Sequence, residues 1–215
     1  MTITLWGRLN SANVQKAVWA LDELALPYEH IPAGGSFGGL DSAEFLAMNP
    51  NGRVPVLRDE DLTLWESHAI VRYLSAEYGS GLLFPLEAVE RAPVDQWTDW
   101  VATTFQPAWI NLFWDLVRTP VAQHDKAKIE RGIAATVKCL EMMEQRLRHA
   151  PFLGGRQFTY ADIVAGVAMY RWTTMPIDRP ALPAVDAWHG RLLERPAFRK
   201  AVCLPYDELV GRLEF

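Results

Sequence analysis

The first 80 residues combine short β-forming runs with one helical stripe. Residues 2–6 alternate polar and apolar β-forming side chains, which predicts a strand. Apolar side chains then recur at helical spacing over 14–21, until Pro27 ends the helix and a second strand is predicted over 28–31. A strand, a helix and a strand within about thirty residues predict a βαβ unit with parallel pairing.

A hairpin and a further helix follow this unit. The runs Val54–Leu57 and Leu62–Trp65 predict two strands joined by an acidic turn at Asp59–Asp61, and a helix is predicted over 67–78. Residues 33–40 contain four glycines and predict a mobile loop. This loop lacks the Gly-Lys-Ser/Thr ending of a phosphate-binding loop, which argues against nucleotide binding.

Beyond residue 80 only helical patterns occur. The predicted helices span about 87–118 with a bend near Pro107, 123–149, 160–174 and 184–195. Thr159 and Asp162 match a capping box at the start of the third of these helices. The chain is therefore predicted to divide into an α/β domain over 1–79 and an all-helical domain over 87–215.

Pro55 breaks the rule that a central strand excludes proline, because proline has no N–H to give to a ladder. One interpretation is an ordinary edge strand. The other is that the backbone beside Pro55 faces a ligand. A βαβ unit followed by a hairpin and a helix resembles the thioredoxin-like layout, which implies a cis Val54–Pro55 peptide and leaves the Val54 backbone free to pair with an extended peptide.

Composition and charge narrow the possible partners. The chain has 215 residues, half of them hydrophobic, a net charge of −5 and a pI near 5.6. That balance argues against a nucleic-acid or anionic-membrane partner, both of which favour a basic face. The start lacks a signal-peptide pattern, and Cys139 and Cys203 fit neither a disulfide framework nor a zinc motif. We expect a soluble cytoplasmic protein that needs no metal.

Three polar side chains suggest a small zwitterionic ligand. Glu66 and Ser67 stand at the start of the predicted helix over 67–78, where free N–H groups favour an anion. Ser67 could bind the carboxylate and Glu66 the ammonium of an α-amino acid head, while Arg53 could bind a second carboxylate. Singly, Ser67 could be a plain N-cap and Arg53 a solvated charge. Together they describe a short peptide such as glutathione.

At this point the sequence resembles the cytosolic glutathione transferases, of the serine-type, theta-like bacterial branch, over essentially its whole length. The motifs that carry the resemblance are SANVQK (11–16), NPNGRVPVL (49–57), LWESHAIVRYL (64–74) and FTYADI (158–163). The resemblance implies a thioredoxin-like N-terminal domain, an all-α C-terminal domain, glutathione as co-substrate and a homodimer.

The same resemblance implies how glutathione is held. Val54 and Pro55 would take the cysteine backbone, Glu66 and Ser67 the γ-glutamyl head, and Arg53 the glycine carboxylate. One departure is Leu40, since theta-like relatives often have a histidine in this loop that helps to hold the glycine carboxylate. What residues 34–46 contribute is therefore left open.

Ser11 is the first candidate for stabilising the thiolate. Lowering a thiol pKa of about 8.5 by two units takes about 2.7 kcal/mol, and one charge-assisted hydrogen bond supplies roughly 1.5–3 kcal/mol. One donor at the start of the first helix is thus sufficient, without a general base. The competing interpretation is a structural N-cap. Asn13 is the alternative donor, because some related proteins use an asparagine amide there.

The acceptor is expected to be a hydrophobic electrophile bound in an apolar pocket between the domains. Aromatic side chains at helical spacing are as readily explained as core, so each is a candidate only. The candidates are Phe105, Trp109, Phe113, Trp114 and Tyr170. His68 and Cys139 are interpreted as structural.

Three classes of function fit these residues. The first is conjugation of glutathione to electrophiles. The second is glutathione-dependent reduction of peroxides or disulfides, which a donor role for Asn13 would favour. The third is a non-catalytic, transferase-like module that binds ligands.

Overall fold

The computed structural model describes residues 3–213. The N-terminal part is a four-stranded mixed sheet in the order β2-β1-β3-β4. Its strands are β1 (Ile3–Trp6), β2 (Tyr28–Ile31), β3 (Val56–Asp59) and β4 (Leu62–Trp65). β1 pairs parallel with β2 and antiparallel with β3, and β3 pairs antiparallel with β4. This confirms the predicted βαβ unit and hairpin. Thr2, which the sequence placed in the first strand, lies outside the described residues.

The third strand begins later than predicted. Pairing with β1 starts at Val56, opposite Trp6, and not at Val54. The Val54–Pro55 peptide is cis, as expected, and Pro55 lies immediately before the ladder. Proline is tolerated at this position because no hydrogen bond of the ladder requires an N–H donor there. Asp59, expected in the turn, instead closes the strand opposite Leu62.

Nine α-helices are described, and two of them were not predicted. Their bounds are α1 (Ala12–Glu23), α2 (Ala43–Met48), α3 (Ser67–Tyr78), α4 (Ala88–Trp100), α5 (Gln106–Phe113), α6 (Lys126–Leu147), α7 (Tyr160–Thr174), α8 (Pro183–Leu193) and α9 (Pro196–Ala201). The unpredicted helices are the six-residue α2 and α9. α2 is capped by Ser42, whose hydroxyl accepts a hydrogen bond from the Phe45 N–H at 3.1 Å.

The long helix predicted over 87–118 is built from α4 and α5 joined by a π-helical turn at Val101–Phe105, with a second such turn at Trp114–Arg118. Pro107 lies directly after the first π turn, near the start of α5. Because proline cannot donate to the preceding turn, the wider π turn accommodates it without ending the helix. This turn coincides with the place where a bend was predicted, and the bend itself stays a prediction.

α1 is buried between the sheet and the helical part of the chain. Trp19 is fully buried, and its ring centroid lies 4.8 Å from that of Phe198 and 5.7 Å from that of Phe158. A Cβ atom on Gly166 of α7 would come within 2.9 Å of the Trp19 ring, so glycine is what permits this close approach. The start of α1 is thereby held at the junction of the two parts.

The predicted capping box at the start of α7 is present. Asp162 accepts hydrogen bonds from the Thr159 and Leu153 N–H groups and from Trp188 Nε1. Burial raises the pKa of this carboxyl to about 6. Among the described helices, none has a stretch long and apolar enough to cross a bilayer.

Candidate functional site

A cavity of about 530 Å³ opens where the start of α1, the segment before β3, the second π turn and the C-terminal segment meet. Its described lining residues are Arg8, Asn10, Ser11, Ala12, Asn13, Gly35, Leu40, Arg53, Val54, Ile110, Phe113, Trp114, Arg118, Arg171, Leu209 and Leu213. Six residues proposed from the sequence are therefore brought to one cavity from distant parts of the chain: Ser11, Asn13, Arg53, Val54, Phe113 and Trp114.

Ser11 is the N-cap residue of α1, but its hydroxyl makes no capping hydrogen bond. The turn is closed by the backbone instead: the Ser11 N–H donates to the Arg8 carbonyl at 3.0 Å, and the Gln15 N–H donates to the Ser11 carbonyl at 2.9 Å. The side chain is half-buried and lines the cavity. The helix does not use this hydroxyl, which leaves it available to a ligand.

Asn13 is held by its carbonyl end. Its Oδ1 accepts from Lys16 Nζ at 3.0 Å, from Gln106 Nε2 at 3.3 Å and from Ser67 Oγ at 3.4 Å. Because a carboxamide is planar, fixing Oδ1 also fixes the Nδ2 donor end. The Asn13 amide group is thus held in one orientation, and Asn13 lines the cavity beside Ser11.

Lys16 is the centre of this network, and sequence reasoning did not identify it. Its ammonium group contacts Asn13 Oδ1, Ser67 Oγ at 3.3 Å, His68 Nε2 at 2.9 Å and Gln106 Oε1. The side chain is 1% exposed. Burial lowers the pKa of Lys16 to about 7, against a smaller upward effect of Glu66.

His68 is a neutral partner in the same network. Burial, and then the charge of Lys16, lower the pKa of His68 to about 2. A neutral imidazole can accept from the ammonium at Nε2. This arrangement fits the structural role expected for His68.

The residues expected to hold the peptide do not all reach the cavity, since Glu66 and Ser67 are not among its described lining residues. Val54 and Arg53 line the cavity, and Pro55 is buried beside them. Ser67 is 5% exposed and touches Asn13 and Lys16 behind the cavity wall. Glu66 is exposed and has φ 72°, an unusual conformation for a residue with a side chain.

Leu40 also lines the cavity and packs on a small apolar cluster formed by Ala33, Phe45 and Val56. The loop expected to be mobile contains a 3₁₀ turn at Gly35–Phe37 and a hydrogen bond from the Gly34 N–H to the Gly38 carbonyl at 2.8 Å. Leu40 therefore contributes an apolar side chain to the cavity, in the loop whose contact with the glycine carboxylate was left open.

Comparison with known proteins identifies the family. Residues 1–76 match the family described as glutathione S-transferase, N-terminal domain, and residues 126–191 match its C-terminal domain. The glutathione S-transferase GstB of Escherichia coli is 42% identical over 205 residues, which cover 94% of this chain and 99% of that protein. The chain belongs to the glutathione S-transferase family.

Two further proteins are similar to this transferase over most of its length. The theta class glutathione S-transferase of Xanthomonas axonopodis pv. citri, solved with glutathione bound, superposes with a TM-score of 0.91 at 45% identity, covering 94% of this chain and 98% of that one. The disulfide-bond oxidoreductase YfcG of Escherichia coli is 32% identical over 197 residues, which cover 88% of this chain and 90% of that protein. The family and fold inferred from the sequence are confirmed.

The aromatic residues proposed for the acceptor pocket of this transferase fall into two groups. Phe113 and Trp114 line the cavity. Phe105 is fully buried and stacks on Trp100 at 5.9 Å between centroids, which makes it a core residue. Trp109 is 3% exposed and lies behind the wall, 6.0 Å from the Arg171 guanidinium. Tyr170 lines a separate cavity.

Three arginines of the transferase, Arg8, Arg118 and Arg171, line the same cavity and were not anticipated from the sequence. Both Arg118 and Arg171 belong to helical segments of the C-terminal part, where arginine normally indicates a solvated face. Among the described residues, no group of His, Cys, Asp and Glu side chains is arranged to hold a metal ion.

Proposed function

We propose that this transferase binds glutathione in the cavity and conjugates its sulfur to electrophilic small molecules. Residues 1–79 would bind glutathione and residues 87–215 would supply the acceptor side. The observation that carries the proposal is the Ser11 hydroxyl, which lines the cavity at the start of α1 and is not used as a helix cap.

We propose a role for residues of the site toward each part of the peptide. The Val54 backbone beside Pro55 precedes the ladder and offers a main-chain edge for the cysteine residue of glutathione. Arg53 would pair with the glycine carboxylate, and Glu66 with Ser67 would take the γ-glutamyl head.

The reaction proposed is a nucleophilic displacement or addition. The Ser11 hydroxyl donates a hydrogen bond to the thiolate and keeps its own proton, so the thiol proton leaves to solvent. The sulfur forms a bond to the electrophilic carbon; in a displacement the leaving group departs with its electron pair, and in an addition the electron pair of the broken π bond takes up a proton from solvent. Ser11 thus raises the fraction of thiolate without acting as a nucleophile.

Titration of the bound thiol tests this role. Ser11→Ala should raise the thiol pKa of bound glutathione, followed by thiolate ultraviolet absorbance, by about one to two units. Ser42→Ala is the matched control, because Ser42 is an N-cap that does bond to its helix and does not line the cavity. The control should lower the melting temperature and leave the titration unchanged. An unshifted titration in Ser11→Ala would remove Ser11 from the mechanism.

A second candidate function is glutathione-dependent reduction of disulfides or peroxides. It is favoured by the amide of Asn13, which is held in one orientation, and by the similarity to a protein named as a disulfide-bond oxidoreductase. If Asn13→Ala shifts the thiol titration and Ser11→Ala does not, this function is preferred. Rates with a hydroperoxide and with a chlorodinitrobenzene then separate the two activities. Failure to bind immobilised glutathione would leave the non-catalytic alternative.

We also propose that the protein is a cytoplasmic homodimer. The dimer rests on the family, and the cytoplasmic location is supported by Cys139 and Cys203, both of which are free thiols. Light scattering that gives the single-chain mass of 24.3 kDa would refute the dimer.

A further inference from the structure

A buried amine lies directly behind the wall of the cavity. Lys16 is 1% exposed and is not among the described lining residues, yet its Nζ lies 3.0 Å from Oδ1 of Asn13, which does line the cavity. The four described hydrogen-bond contacts of this Nζ are all with neutral side chains. Burying a lysine without a paired charge costs folding free energy, and groups in such surroundings are common at functional sites.

The contact with Lys16 decides which way the Asn13 amide points. An ammonium group only donates hydrogen bonds, so the atom that faces it must be the carbonyl oxygen of the amide. Oδ1 also accepts from Gln106 Nε2 at 3.3 Å and from Ser67 Oγ at 3.4 Å. Three donors on one oxygen leave the carboxamide a single orientation.

The nitrogen end of the same amide is open. None of the hydrogen bonds described for Asn13 involves Nδ2, and Nδ2 is not among the buried polar atoms of the described residues that lack a partner. The N–H₂ group is therefore accessible to solvent or to a ligand. Because Asn13 lines the cavity beside Ser11, a ligand in the cavity is within reach of this donor.

Gln106 extends the network to the helical half of the chain. Lys16 Nζ donates to Gln106 Oε1, while Gln106 Nε2 donates to Asn13 Oδ1. Ile110 and Phe113 follow Gln106 at helical spacing on α5, and both line the cavity. The amine and the two carboxamides thus form one connected group, in which each donor and acceptor has a defined direction.

A positive charge at the oxygen of a carboxamide also strengthens the donor at its nitrogen. Hydrogen-bonded groups polarise one another where water is excluded, and a nearby cation stabilises an anion that the N–H₂ group binds. Burial lowers the pKa of Lys16 to about 7, and Glu66 raises it by less. The other titratable neighbour is His68, whose own pKa is lowered to about 2 by burial, by Lys16 and, more weakly, by Arg72. An anion bound at Asn13 would favour the charged form of the amine.

We infer that Lys16 is a positioning residue for the conjugation reaction: it directs the Asn13 N–H₂ group toward the glutathione sulfur and strengthens its hydrogen bond to the thiolate. This inference rests on the proposed function and adds a second donor to the Ser11 hydroxyl. No proton moves between protein groups. Asn13 keeps both amide protons, the thiol proton leaves to solvent, and the sulfur forms its bond to the electrophilic carbon as before.

Titration of the bound thiol in Lys16→Met tests the inference. Methionine keeps much of the length of lysine but has neither charge nor donor. At saturating glutathione, we expect the thiol pKa to rise by about 0.5–1 unit, which is roughly three- to tenfold less thiolate at a pH below the pKa. Lys16→Arg, which restores a charged donor, should recover part of the shift. Lys138→Met, at an exposed position on α6, is the matched control and should leave the thiol pKa unchanged.

A double-mutant cycle shows whether Lys16 acts through Asn13. Asn13→Ala alone should raise the thiol pKa at least as much as Lys16→Met does. Lys16→Met added to Asn13→Ala should then have less than half of the effect that it has alone, because the group it acts through is gone. A purely structural role would lower the melting temperature without this dependence. If Lys16→Met does not fold, Gln106→Met removes another donor to Asn13 Oδ1 and should give a shift that also disappears with Asn13→Ala.

The outcomes separate the inference from the proposed function. An unchanged thiol pKa in Lys16→Met, with the thiol pKa lowered in the wild type, overturns the inference and leaves the proposed function standing. Equal shifts from Lys16→Met with and without Asn13→Ala also overturn it, because the charge would then act on the sulfur directly. A wild type that binds no glutathione, or whose bound thiol titrates like free glutathione, refutes the proposed function itself.

Discussion

Lys16 should make the stability of the protein rise with pH above neutrality. Its amine is 1% exposed, and burial lowers its pKa to about 7 in the folded chain, whereas an unfolded lysine titrates near 10.4. Between these values the unfolded chain keeps a proton that the folded chain has released. Stability therefore increases with pH across this window.

The size of the change in the free energy of unfolding follows from the folded and unfolded pKa values of Lys16. The limiting slope for one proton is about 1.4 kcal/mol per pH unit. Since the folded group is half protonated near pH 7, the gain from about pH 7 to about pH 8.5 is roughly 1–2 kcal/mol. Glu66 and His68 are the titratable neighbours, and His68, with its pKa lowered to about 2, is neutral throughout.

The assay compares the free energy of unfolding of wild type and Lys16→Met over this window. Denaturant titrations at fixed protein concentration can use the fluorescence of the nine tryptophans. Subtracting the Lys16→Met profile from the wild-type profile removes the pH dependence contributed by groups that both proteins share, such as Cys139, whose pKa is raised by burial. Lys138→Met, at an exposed position on α6, is the control and should leave the slope intact.

Parallel profiles for wild type and Lys16→Met would refute the reasoning. They would mean that the amine titrates in the folded chain as it does in the unfolded one. In that case the four contacts of Lys16 would compensate fully for its burial.

Two other predictions concern binding. Ser67→Ala should weaken glutathione binding by about 1–3 kcal/mol, because a hydrogen bond to a charged group is lost, and calorimetry that shows unchanged affinity would reject the head-binding role. Phe113→Ala should change the KM of the acceptor more than that of glutathione, because this ring lines the cavity, and should also lower the unfolding free energy by about 3–5 kcal/mol, because the ring is 1% exposed. Trp109→Ala should lower the unfolding free energy by a similar amount without this difference between the two KM values, since Trp109 is buried behind the wall, and equal effects of Phe113→Ala on both KM values would reject an acceptor role for Phe113.

Much of the fold was predictable because its elements have strong local patterns. The helix at 160–174 was predicted at its observed bounds, since its capping box is local to four residues. The helices α2 and α9 were missed because six residues are too few to establish a helical period. The start of β3 was misplaced because the sequence does not say where ladder pairing begins beside Pro55.

Short motifs pointed to some of the residues that line the cavity, and residues that meet only in the fold were missed. Ser11, Val54 and Arg53 line the cavity, and their roles toward glutathione stay predictions. Lys16 looked like an ordinary polar helix residue, because its partners Ser67 and Gln106 are far away in the sequence. Arg171 was missed for a different reason: it lies on a helix that is buried on nearly all sides, where the sequence pattern gives no directional signal.

The hydrogen bonds that reach the start of α1 from the helical half bear on how such proteins can be recombined. Gln106 of α5 bonds to Asn13 and Lys16, and Arg171 of α7 bonds to the Asn10 carbonyl. A chimaera that joins residues 1–79 to the helical half of another transferase would replace both anchors while leaving every residue of the N-terminal half intact. Such hybrids would cost the buried Lys16 one of its four contacts unless the other chain supplies an equivalent of Gln106, so the two halves are not interchangeable parts.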